Sequence, residues 1–112
     1  MGTVYLLHFK HPLAHANHYL GWTDDLPARL AMHRASRGAR IVEVLVERGG
    51  DFLLAKTWPG SRALERSMKG RSLRAYCPIC RPGRERAPLL DEDRARLGLP
   101  PLAEIAQRHR RR

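Results

Sequence analysis

Cys77 and Cys80, in Cys77-Pro78-Ile79-Cys80, are the chain's two cysteines. Thiols this close in sequence cannot staple distant parts of a fold, so they are not a disulfide framework. At best they would make half of a structural zinc site, whose completion needs histidines such as His109 or a second molecule. The other reading is a pair of solvent-exposed or loosely packed thiols. The remaining chemistry-bearing residues are scattered: Tyr5, Tyr19, Arg29 ten positions later, His33, and Glu65. Each has an ordinary use when taken alone. The tyrosines suit strand interiors, Arg29 a solvated helix face, and His33 a satisfied interface. Glu65 can be no more than an i,i+4 partner for Lys69. Chemistry requires that they meet.

The charge suggests what they would meet around. The 112 residues carry a net charge of +10, and 18 of the 21 basic residues are arginine. Residues 61–112 hold +8 of that charge. A guanidinium fork grips phosphate with two parallel hydrogen bonds, so this excess favours nucleic acid or anionic lipid as partner. No apolar run approaches the ~18 residues of a membrane span, and no secretory leader opens the chain. The expectation is a soluble, cytoplasmic protein with no membrane partner. A chain of this size buries roughly two thirds of its unfolded surface, enough for a core without staples.

The elements that must position these residues follow from pattern. Residues 3–9 and 18–23 read as an antiparallel strand pair, separated by a polar loop from Lys10 to Asn17 that contains His11 and His15. Gly21 inside the second strand implies a close approach to the backbone. Asp24-Asp25 cap a helix from Leu26 to about Ser36, with Leu26, Leu30 and His33 on one face and Arg29 bordering it. Residues 39–48 suit a strand by β-branching, or a helix with Val42, Leu45 and Val46 inward. Residues 52–58 read as a third strand, Pro59-Gly60 as a turn, and Ser61 as the cap of a helix over 62–69 with Leu64 and Met68 inward. The expected organisation is a domain over 1–80. An Arg/Pro-rich extension, loosely packed or partly disordered, follows over 81–112, with weak helices at 91–97 and 102–109 and a terminal Arg108-His109-Arg110-Arg111-Arg112.

Tyr19-Leu20-Gly21-Trp22-Thr23, followed by Leu26, Arg29 and His33, resembles the GIY-YIG endonuclease superfamily at every defined position of that block. Thr3-Val4-Tyr5 is similar to the family's first tripeptide. Trp58 to Glu65 resembles the strand, turn and helix that deliver its metal-binding glutamate. The resemblance covers about residues 3–77 and is nearest to small single-domain members of the excision-repair-nuclease kind. It implies an α+β fold, a three-stranded antiparallel sheet flanked by helices, followed here by a basic C-terminal extension. It also tips residues 39–48 towards helix.

The chemistry implied is phosphodiester hydrolysis, DNA being the favoured substrate and RNA a compatible one, with one Mg²⁺ or Mn²⁺. Glu65 would hold the ion and Arg29 would clamp the scissile phosphate. Tyr5 or Tyr19 would take the proton of the attacking water, and His33 would order a water or a phosphate contact. Arg34, Arg37, Lys69 and Arg71 are the expected backbone-phosphate contacts, and a protein partner would supply specificity. The chain departs from the family in four places. Thr3 stands for glycine, the segment between the tyrosines is long, Trp22 replaces a polar residue, and Cys77 falls where an asparagine is expected. Two alternatives follow from these features: a nucleic-acid-binding module that keeps the fold without turnover, and a zinc-stabilised interaction protein.

Overall fold

The computed structural model describes residues 2–104 except Ala14 and Gly70. Three antiparallel strands, β1 (Gly2–Leu13), β2 (Ala16–Thr23) and β3 (Phe52–Gly60), form a sheet in the order β2-β1-β3. Two helices, α1 (Leu26–Arg34) and α2 (Arg40–Glu47), connect β2 to β3; α3 (Arg62–Lys69) follows β3. A single 3₁₀ turn, Leu73–Tyr76, and a short α4 (Asp91–Arg96) come last. The fold is therefore α+β around a three-stranded antiparallel sheet. Among the described residues, no helix is long and apolar enough to cross a membrane.

β1 is buried on both faces because helices cover both. Val4 and Leu6 pack with Leu20, Trp58, Leu64 and Met68 on the α3 side. Tyr5, Leu7 and Phe9 pack with Val42, Leu45 and Phe52 on the α1–α2 side. Successive side chains of a strand point to opposite faces, which explains an apolar run without alternation. In β3 the odd–even rule is broken on purpose. Leu6 pairs with Lys56 and Leu7 with Leu54, so Ala55 is an extra residue, a β-bulge. It sends Phe52 and Trp58, which share sequence parity, into opposite cores.

Residues 39–48 are a helix, and magnitudes show why. Four β-branched residues cost roughly 0.5 kcal/mol each in helix propensity. Burying Val42 and Leu45, at 0% and 3% exposure, returns about 1.5–3 kcal/mol each. Packing wins.

Two expectations of local structure are corrected. The polar loop over 10–17 is mostly strand: β1 runs to Leu13 and β2 starts at Ala16, the two residues pair, and the ladder is irregular between His8 and Leu13. Its sides are solvated there, so no apolar alternation marked it, and the Lys10 amide is held by the Asp51 carbonyl at 3.0 Å. Pro59-Gly60 is strand rather than turn, paired with Thr3 and Gly2. β3 is an edge strand, where a missing N–H costs little.

The α3 expectation matches the observed bounds, with Leu64 and Met68 buried. In the C-terminal part, Leu102 packs against the α3-side core and Arg94 is buried. The arginine cluster 108–112, His109 and most of the helix expected over 102–109 lie outside the described residues.

Candidate functional site

Two polar clusters grow from the β1–β2 hairpin. The first starts with the phenols. Tyr5 opposes Gly21 in the ladder, and Tyr19 lies two residues along on the same face, with ring centroids 6.1 Å apart. A side chain at position 21 would have its Cβ 2.5 Å from the Tyr5 hydroxyl and 2.8 Å from the Tyr19 ring. Glycine is required there for the rings to approach, as its position inside a strand suggested.

α1 aims two groups at this pair. The Asp25 side chain accepts from the Ala28 amide at 3.2 Å and starts the helix, with Pro27 in the first turn. Arg29 Nε then donates to the Tyr5 hydroxyl at 3.4 Å, and His33 Nε2 meets that hydroxyl at 2.7 Å. His33 is wholly buried, between Tyr19 and Phe52, and its Nδ1 lies against Gly38 without a hydrogen-bond partner. Burial, reinforced by the Arg29 charge, pushes its pKa down to about 4, so it is neutral. Burial pushes the Tyr5 phenol up to about 12, although the Arg29 hydrogen bond opposes this. The two phenols in turn hold the guanidinium firmly protonated.

The cluster opens at the β2 edge of the sheet, where the α1 side and the α3 side meet. A cavity of about 630 Å³ lies there. Tyr19, Arg29 and Glu65 line it together with Asp24, Arg62, Arg66 and Lys69. Four cations thus face two carboxylates. Glu65 is largely buried and pairs with Lys69 Nζ at 3.0 Å. Trp22 also lines the cavity; its indole donates to the Gly60 carbonyl at 2.8 Å, and Arg62 stacks 4.6 Å from its ring centre.

Of the residues singled out in the sequence, Tyr19, Arg29, Glu65 and Lys69 share this cavity. Tyr5 and His33 stand behind it, fully buried. Arg34 and Arg37 are exposed and do not line it, nor does Arg71. Arg34 instead covers the Phe52 ring at 4.8 Å and lies 3.9 Å from Asp51. Arg62 and Arg66 were missed. Their signal was present, since positions 62, 65, 66 and 69 form one helical stripe at i, i+3, i+4 and i+7.

The second cluster lies on the opposite face of the hairpin. Cys77 is wholly buried, and Cys80 is half-buried, which corrects the expectation of exposed or loose thiols. His8 and His18 are cross-strand partners in the ladder. With Cys77 and Cys80 they bring four ligand atoms within 4.8 Å of one another, an arrangement that could hold a metal ion. Burial and the adjacent His8 push His18 down to about 4. Burial and the neighbouring Cys77 push the Cys80 thiol up.

No family model matches this chain, and searches of curated proteins and of solved structures give no significant match. The likeness to GIY-YIG nucleases therefore rests on the residues quoted for it.

Proposed function

We propose that this chain is a divalent-metal-dependent endonuclease of GIY-YIG type that hydrolyses phosphodiester bonds, with DNA as its substrate. One observation carries the reading: a single cavity is lined by Tyr19 of β2, Arg29 of α1 and Glu65 of α3, residues distant in sequence. The donor set suits a hard cation, because Glu65 and Asp24 offer carboxylate oxygens and the cavity lining contains neither thiol nor imidazole. Glu65 would hold Mg²⁺ or Mn²⁺, and Asp24 lines the same cavity. When bound, the ion neutralises charge developing on the phosphate oxygens.

The chain's own groups do the rest. Arg29 is tethered through Nε to Tyr5, and the other donors of its planar fork would meet phosphate oxygens. Tyr5 keeps its proton, with a pKa near 12, and orients the guanidinium. Tyr19 reaches the cavity, so it is the residue that, once ionised to the phenolate, would take the proton of the attacking water. His33, neutral and buried against Tyr5, positions that hydroxyl. Lys69 pairs with Glu65 at 3.0 Å, and with a cation on that carboxylate its half-exposed ammonium would be available to a phosphate oxygen. Arg62 and Arg66 neutralise flanking phosphates.

A second reading is favoured by the Lys69–Glu65 ion pair at 3.0 Å: a nucleic-acid-binding module in which the carboxylate never takes a metal. A plasmid-nicking assay separates the two. The nuclease reading expects relaxation of supercoiled DNA with Mg²⁺ or Mn²⁺ and its loss in Glu65→Gln. It also expects a fall of about 100-fold or more in Arg29→Ala, the usual effect of removing one donor that stabilises transition-state charge. Salt-sensitive binding without nicking under any metal supports the module instead.

A further inference from the structure

We propose that His8 Nδ1, His18 Nε2, Cys77 Sγ and Cys80 Sγ bind one Zn²⁺ as a closed tetrahedral structural site, which fastens the segment after α3 to the β1–β2 hairpin.

Edge lengths carry the assignment. Around zinc, with bonds of about 2.0–2.1 Å to nitrogen and about 2.3 Å to sulfur, a tetrahedron has nitrogen–nitrogen edges of about 3.3 Å and nitrogen–sulfur edges of about 3.6 Å. His8 Nδ1 and His18 Nε2 are 3.3 Å apart. The nitrogen–sulfur separations are 3.5 Å from His8 to Cys77, 3.5 Å from His8 to Cys80, and 3.4 Å from His18 to Cys80. Four edges agree with one polyhedron.

Hydrogen bonding does not account for the same geometry. An imidazole nitrogen carries either one proton or one lone pair, so it satisfies one in-plane partner. His8 Nδ1 has three at once: His18, Cys77 and Cys80. Thiols are weak donors besides. Three neighbours converging on one nitrogen is what atoms sharing a common centre look like.

The local fold builds the site from two rigid pieces. Ladder pairing sets His8 opposite His18, with Tyr5 and Tyr19 on the other face. The Arg81 amide bonds the Cys77 carbonyl at 3.0 Å, closing a turn with both thiols inside. Two thiolates with two imidazoles are a borderline-soft set that selects zinc over magnesium. Four protein ligands leave no open position, so the site is structural rather than catalytic. This assignment does not depend on what the Glu65 cavity does.

The test uses the full-length chain, purified under reducing conditions and desalted, with metal content measured by elemental analysis. The expected result is about one zinc per chain, resistant to a weak chelator. Replacing zinc with Co²⁺ should give the intense visible bands and sulfur-to-metal charge transfer of a tetrahedral thiolate site. Both signals should vanish in His18→Ala and in Cys80→Ser, and both should persist in His11→Ala, His15→Ala and His109→Ala. If the ligand variants do not fold, the cobalt spectrum of the wild-type chain decides alone, since its charge-transfer and ligand-field bands report sulfur ligation and coordination number. A metal-free chain that gives a pale, thiolate-free cobalt spectrum overturns the proposal. So does a Cys77–Cys80 disulfide that survives reduction, or loss of zinc in His109→Ala. Plasmid nicking is scored separately, so a zinc-loaded chain that never nicks leaves this site intact and removes only the nuclease reading.

Discussion

The two clusters on the β1–β2 hairpin are neighbours in sequence and opposites in chemistry. His18 precedes Tyr19, and His8 follows Tyr5 by three positions, yet each pair is split between the two faces of the sheet. On one side stand phenols, a guanidinium and, at the sheet edge, carboxylates that open into a cavity. On the other stand imidazoles and thiols drawn within 4.8 Å of each other. The open cluster has hard oxygen donors and an excess of cations, which suits a loosely held ion and a passing anion. The imidazole–thiol cluster has borderline-soft donors converging from four residues, which suits a firmly held ion. A strand period of two lets one hairpin carry both without interference.

The sharpest way to break this division is to cross the readouts. Glu65→Gln is expected to lower nicking by at least about 100-fold while zinc content stays unchanged. Elemental analysis and the plasmid assay on the same preparation check this. If Glu65→Gln also strips the zinc, the two clusters are not separate.

Next in size is the pH dependence of the buried partner of Tyr5. His33 has a native pKa lowered to about 4, against about 6.5 in an unfolded chain. Between those values the unfolded state binds a proton that the native state refuses. Its stabilising contribution is therefore complete above about pH 6.5 and is lost as pH falls towards 4. The loss reaches at most about 3 kcal/mol. Urea unfolding of the wild type and His33→Phe at pH 7 and pH 5 should show a steeper acid loss in the wild type. Equal slopes would mean that His33 is protonated in place.

Gly21→Ala comes third. Its Cβ would lie 2.5 Å from the Tyr5 hydroxyl and 2.8 Å from the Tyr19 ring. Overpacking of this kind costs about 1–3 kcal/mol. Because the phenols must move, nicking should fall further than stability does. Zinc content, set by the opposite face, should hold. A melting curve with the two assays tests the ranking.

How far the sequence foretold these clusters depends on the kind of signal each one leaves. The phenol–arginine–histidine group was legible through its resemblance to the GIY-YIG pattern, whose specific block, Tyr19 to His33, lies in one hairpin strand and the helix that follows. Glu65 was singled out by the same resemblance, carried by Trp58 to Glu65. The imidazole–thiol cluster was half legible. Cys77 and Cys80 announce themselves by spacing, but their partners arrive through ladder register, and residues 10–17 read as loop concealed it. The ladder is irregular between His8 and Leu13, so the register that sets His8 opposite His18 cannot be counted back from the Leu13–Ala16 pair. The bulge at Ala55 left no sequence mark, because a stretch apolar at both parities satisfies either register.

The smallest expected effect tests which arginines face the substrate. Arg34 and Arg66 have the same charge and lie on helices on opposite sides of the sheet, but only Arg66 lines the cavity; Arg34 lies over Phe52 near Asp51. A phosphate contact releases condensed counterions, so its removal lowers the slope of log affinity against log salt by about 1. Arg66→Ala should do so, and Arg34→Ala should leave the slope unchanged while costing stability on the order of 0.5–1 kcal/mol for the lost ring contact. Fluorescence anisotropy with a short duplex across a salt series measures both slopes. Equal drops would mean that the bound nucleic acid runs past the C-terminal end of α1, along the face opposite α3, and that the cavity is only part of its track.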